Sequence, residues 1–317
     1  MPTRSSLIQT AVDAQLNAAQ TKTLLALPGR GAGLPTPKQL MALSALFGGA
    51  ALIMWIAANW QTLSRTAHFT LLELAVLLPG LLCLRPGPTR TPSALLCFLA
   101  IGGLWAYFGQ TYQTGADPWQ LFALWAVLSL PLCFFARSDL LWLPWSLVWM
   151  ASIYLWINTQ TGHHFALLHV LLSNAAAWGC VVLLGRTWRS WTGASLWGLR
   201  SAVVLATLHT ATLSLSTLLD ASPSNPYAYG FKLGVPILLL AFAWFQSRAH
   251  FDIFALSALA LALNAQLFCW LIINMNASPG SEDAVALRIA LFCTLNLVGS
   301  AFYIFKLTQQ HKDPAHE

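Results

Sequence analysis

Trp105-Ala106-Tyr107-Phe108-Gly109-Gln110-Thr111-Tyr112-Gln113-Thr114-Gly115-Ala116-Asp117-Pro118-Trp119 is the stretch around which the rest of the chain can be read. An apolar run long enough to cross a bilayer ends in it, and Asp117-Pro118 opens the next apolar run. Between the two lies a cluster of turn-forming and hydrogen-bonding residues, Gly109 to Thr114. Hydrocarbon cannot satisfy such groups, so an apolar run that ends in them has reached a membrane edge. The same alternation of about 20 apolar residues and a short polar break recurs along the chain.

Composition agrees. The 317 residues are 57% hydrophobic and 8% charged, with a mean hydropathy of +0.63, where soluble domains carry about 25% charged residues. The expected fold is all-α, a polytopic transmembrane helical bundle of ten spans: 39–60, 66–84, 92–112, 118–136, 138–158, 164–185, 197–218, 229–247, 252–273 and 284–307. Residues 1–38 read as a cytoplasmic amphipathic helix followed by a Gly/Pro-rich linker, 39–307 as the bundle, and 308–317 as a short cytoplasmic tail. Short connections make consecutive helices antiparallel neighbours. Pro79, Pro131, Pro144 and Pro236 fall inside spans, where neighbouring helices can satisfy the freed carbonyls.

Lysine and arginine set the orientation. Arg4, Lys22, Arg30, Lys38, Arg85, Arg90, Arg137, Arg186, Arg189, Arg200, Arg248, Lys306 and Lys312 fall on one side, and Arg65, Lys232 and Arg288 on the other, which accounts for all 16. Both termini are therefore expected in the cytoplasm. The net charge of +6 is spread singly between apolar segments, so it marks topology and gives no footing to nucleic acid. The loop Arg186-Thr187-Trp188-Arg189-Ser190-Trp191 reads as an interfacial anchor on the inner side.

Several chemistries have no residues to carry them. Cys83, Cys97, Cys133, Cys180, Cys269 and Cys293 lie inside spans without ligand spacing, and read as packing residues. His163, His164 and His169 are not spaced to share a helix face, so no metal site is expected. No hydrolase, metalloprotease or nucleotide-binding motif occurs. Neither catalytic residues nor a cofactor are assigned.

The candidate site is a polar cavity open to the outer side, lined by Asn59, Trp60, Glu73, Gln110, Tyr112, Gln113 and Arg288. Glu73 lies about two turns into the second span, where a carboxylate costs several kcal/mol unless paired, protonated or wetted. It is expected to be buried, neutral or paired with Arg288 or Lys232. The competing reading is a structural ion pair with the two cations snorkelling to the interface. Gln110 and Tyr112 are expected to face inward toward Asn59. Gly109 would let another backbone approach, and unwinding at that glycine would bring both polar side chains into one pocket. The deeper polar residues Asn174, His209, Asn264, Gln266 and Asn296 read as interhelical hydrogen-bond partners.

Ala57-Ala58-Asn59-Trp60, then Gly109-Gln110-x-Tyr112-Gln113, then Trp125 and Pro131, resemble bacterial predicted membrane proteins grouped as a domain of unknown function, DUF2157. The resemblance covers about residues 7–150. It implies a helical bundle in the bacterial inner membrane and assigns no activity. The expected partners are the lipid bilayer and a small-molecule ligand, a solute or a lipid-derived molecule, for binding or transport. The alternative is a structural or assembly partner of another membrane protein; an intramembrane enzyme lacks a catalytic set.

Overall fold

A computed structural model describes residues 36–59, 62, 64–112, 115–160, 167–219, 228–275 and 282–312. The chain divides into units 1–41 and 42–317, and the segment read as an amphipathic N-terminal helix lies outside the described residues. The helices are α1 (Pro37–Ala58), α2 (Arg65–Cys83), α3 (Arg90–Tyr112), α4 (Pro118–Ala136), α5 (Asp139–Gln160), α6 (Leu167–Leu183), the short α7 (Arg189–Thr192), α8 (Leu196–Leu219), α9 (Ala228–Gln246), α10 (Ile253–Met275) and α11 (Glu282–Lys312). No strand occurs among the described residues. All ten expected spans correspond to helices. Among the described residues, eight are long and apolar enough to cross a membrane, or nine if the bent pair of α6 with the Arg186–Thr192 segment is one span. The apolar segment Gln39–Trp55 of α1 is shorter than the others.

Helix ends follow from local chemistry. Ser64 accepts a hydrogen bond from the Ala67 amide (3.2 Å) and starts α2. Pro118 occupies the first turn of α4, where its missing N–H costs nothing. Arg137 ends α4 in the left-handed region (φ 50°), its N–H bonding back to Cys133. The prolines at 79, 131, 144 and 236 lie inside α2, α4, α5 and α9.

Helix α8 is the centre of the C-terminal half, packing on α5, α6, α9 and α10, while α11 packs on α10. The deep amides Asn174, Gln266, Asn264 and Asn296 make the interhelical bonds expected of them. The Thr210 hydroxyl donates to Asn174 of α6 (2.7 Å), and Ser214 donates to Gln266 of α10 (2.6 Å). Asn264 of α10 donates to Ser300 of α11 (3.1 Å) and accepts from Asn296. His209 is the exception, with no such bond. Helix α9 approaches α8 closely because Gly230 and Gly234, one turn apart, lie on Thr217 and Ser214, where added Cβ atoms would sit 2.5 Å and 2.7 Å from side-chain atoms. The cysteines are free, and Cys83, Cys97, Cys133 and Cys180 are buried.

At one end of the bundle the arginines tie neighbouring loops together. Arg90 donates to the Phe135 carbonyl (2.8 Å) and lies over the Phe135 ring. Arg137 donates to the Ser190 carbonyl, and Arg186 to the Ala249 carbonyl (2.8 Å). Arg200 pairs with Asp252 (3.1 Å). Asp139 accepts from both the amide and the hydroxyl of Ser195 at the start of α8. Gly193 (φ 63°) is pressed on Arg137, with no room for a Cβ. The Arg186–Trp191 loop is therefore a folded bracket, bent 52° from α6 and carrying exposed Trp188 and Trp191.

Candidate functional site

Helices α3 and α4 are held together by Trp125. Its indole Nε1 donates to the Phe98 carbonyl (2.8 Å), and its ring covers Gly102 so closely that a Cβ there would lie 2.5–2.7 Å from ring carbons. Toward Gln110 the two helices leave an open cavity of about 500 Å³. Trp105, Phe108, Leu121 and Leu124 are among its apolar walls, and Gln110, Asp117 and Gln120 give it polar groups. Its volume lies within the range of small-molecule sites, about 300–1,000 Å³.

Gly109 lines this cavity without a close neighbour, for a Cβ there would meet nothing within 4 Å. That corrects the expectation of a notch for another backbone: the close approach is at Gly102, two turns earlier. Helix α3 also continues through Gly109 to Tyr112 instead of unwinding. In a continuous helix residues 110 and 112 point about 200° apart. Gln110 accordingly lines the cavity beside α4, whereas the half-exposed Tyr112 meets Phe69 of α2 (5.9 Å between ring centroids) and Phe108 (4.8 Å).

The remaining candidates are dispersed. Asn59 spends its amide on the Trp55 carbonyl of its own helix (2.9 Å). Trp60 and Gln113 lie outside the described residues. Glu73 is exposed on α2, and the pairing expected with Arg288 or Lys232 is absent: both cations are exposed, and the ion pair among the described residues is Arg200–Asp252. The reason is rotational. The buried face of α2 carries His68, Leu72, Pro79 and Cys83, and Glu73, one residue past Leu72, is turned about 100° from that residue's direction. Arg288 sits on α11, which packs on α10 and is otherwise largely exposed.

One buried pair at this end was not anticipated. The Tyr107 hydroxyl lies 3.1 Å from His68 Nδ1, joining α3 to α2, with Phe69 edge-on to Tyr107 (4.8 Å). A histidine one turn inside an apolar run was the available signal, since an intramembrane imidazole needs a partner.

Residues 5–142 match the family model described as predicted membrane protein (DUF2157). That segment contains the Gln110 cavity, the Trp125–Gly102 contact and the His68–Tyr107 pair. No curated protein and no solved structure matches the chain.

Proposed function

We propose that this multi-pass membrane protein binds a small amphiphile, of the class released from or built into lipids, in the cavity at Gln110. The observation that supports the reading is the cavity's division of labour. Aromatic and leucine side chains offer an apolar wall, and Gln110 and Gln120 offer hydrogen bonds to a polar head. A fully polar solute would leave that wall unused, and a plain hydrocarbon would leave the amides unpaired. The assembly reading has no comparable support, because the exposed apolar face of α11 is what a lipid-facing helix presents.

Native mass spectrometry of the full chain, extracted in mild detergent, tests the proposal. Wild type is expected to retain a mass of lipid-fragment size. Ala106→Trp, which puts an indole into the cavity, should abolish retention, and Gln110→Leu should weaken it by about tenfold, the equivalent of one hydrogen bond. Equal retention by wild type and Ala106→Trp overturns the reading.

In this proposal the cavity faces outward and both termini are cytoplasmic. The orientation is supported by the basic residues and by the loops that Arg90, Arg137, Arg186 and Arg200 tie together at one end. On a background without the native cysteines, Gly115→Cys is expected to react with an impermeant maleimide from outside, and Arg189→Cys only after the membrane is opened. Labelling of position 189 in intact cells would reverse the orientation.

A further inference from the structure

A second cavity, of about 150 Å³, lies between α5 and α8 in the half of the chain beyond the family match. From α8 it is lined by His209, Thr212, Leu213 and Ser216, whose spacing of three, four and seven residues defines one helix face. From α5 come Tyr154 and Asn158. Asn158 and Ser216 are within a turn of their helix ends, Gln160 and Leu219. His209 and Ser216 are seven residues apart, so the lined face extends roughly 10 Å along the helix. From its depth in the span, His209 is expected to bond to a neighbouring helix. Instead it is buried, with Nε2 bonded to nothing among the described residues.

The lining groups specify a ligand class. Thr212 donates its only hydroxyl proton to the His209 carbonyl (3.0 Å), and Ser216 donates its own to the Leu213 carbonyl (2.9 Å). Both hydroxyls therefore offer lone pairs to the cavity. Asn158 donates one amide hydrogen to the Tyr154 carbonyl (2.7 Å), which leaves its second N–H as a donor and its side-chain oxygen as an acceptor. The imidazole of His209 carries at least one ring N–H in any protonation state, and the Tyr154 hydroxyl can donate or accept. Acceptors and donors thus both line the cavity. Among the described residues no Asp, Glu, Lys or Arg lines the cavity, so a charged ligand would be desolvated without a counter-charge, at a cost of several kcal/mol. The volume equals that of about five waters.

We propose that the cavity at His209 is a binding site for a small uncharged polyol of glycerol size. Hydroxyl groups match the lining because each both donates and accepts, and neutrality matches the absence of charge. A short chain of carbons can lie on Leu213 while its hydroxyls reach the polar side chains.

The test is saturation-transfer NMR on the full chain in nanodiscs prepared without glycerol, with glycerol as probe and acetate and methylammonium as charged controls small enough to enter. Transfer to glycerol is expected, and transfer to neither ion. Asn158→Leu and Thr212→Val, at exposed positions whose replacement leaves the bundle intact, should each lower glycerol occupancy by about fivefold. His209→Phe, which removes both ring nitrogens, should lower it further. Transfer to methylammonium or acetate stronger than to glycerol overturns the proposed ligand class. Absence of transfer to glycerol, or equal transfer in wild type, Asn158→Leu and Thr212→Val, overturns the site.

Discussion

Gly102→Ala is expected to destabilise the protein by about 1–3 kcal/mol, the usual cost of forcing a methyl group into a packed interior. The new Cβ would fall 2.5–2.7 Å from Trp125 ring carbons. The indole cannot simply swing away, because Nε1 is bonded to the Phe98 carbonyl on the same helix as Gly102. Either that bond breaks or α3 and α4 separate, and separation deforms the cavity they share at Gln110. Gly109→Ala, seven residues further along the same helix, should have the opposite sign. Its Cβ meets nothing within 4 Å, and replacing a helical glycine with alanine stabilises by roughly 0.5–1 kcal/mol. Unfolding of both variants in mixed micelles measures the contrast. Equal stability of Gly102→Ala and Gly109→Ala would show that the Trp125 contact does not hold α3 to α4.

The contrast between these glycines also shows where reading the sequence runs out. The break at Gln110–Thr114 marks where an apolar helix ends, and the polar breaks after it locate the remaining helices, because a bilayer demands an apolar length and water ends it. What such a segment does not encode strongly is its rotation. A soluble helix has one apolar stripe that points to the core, whereas α4 and α5 are apolar on nearly every side. Gly109 and Gly102 are equally plausible notches in the sequence, and only the position of Trp125 separates them. Glu73 failed for the same reason: its depth could be counted from the span's end, but its direction depended on Leu72 beside it facing inward. Asn174, Gln266, Asn264 and Asn296 were easier, since a deep amide needs a partner whichever way its helix turns. His209 satisfies the same premise and departs from the conclusion, with Nε2 meeting no polar group of another helix among the described residues.

Asp252→Ala is expected to cost about 3 kcal/mol, the low end of the range for removing one member of a buried ion pair. Two functions meet in this carboxylate. Oδ1 accepts from the amides of Phe254 (2.9 Å) and Ala255 (3.1 Å) at the start of α10, and Oδ2 accepts from Arg200 Nε (3.1 Å). The side chain of Asp252 is 6% exposed and that of Arg200 25%. Alanine would leave two helix amides without their cap and a guanidinium facing the Phe254 ring without its counter-charge. The partial exposure of Arg200 lets water relieve some of the loss, which keeps the figure at the low end. Asp252→Asn separates the two functions, because its amide oxygen can still cap α10 while the charge is gone; it should lose about half as much. Adding Arg200→Met to Asp252→Ala removes the stranded cation and should recover stability relative to Asp252→Ala alone. Unfolding of the three variants in mixed micelles decides the matter: if Asp252→Ala loses no more than a surface pair would, about 0–1 kcal/mol, the contact is peripheral and the start of α10 is fixed by packing alone.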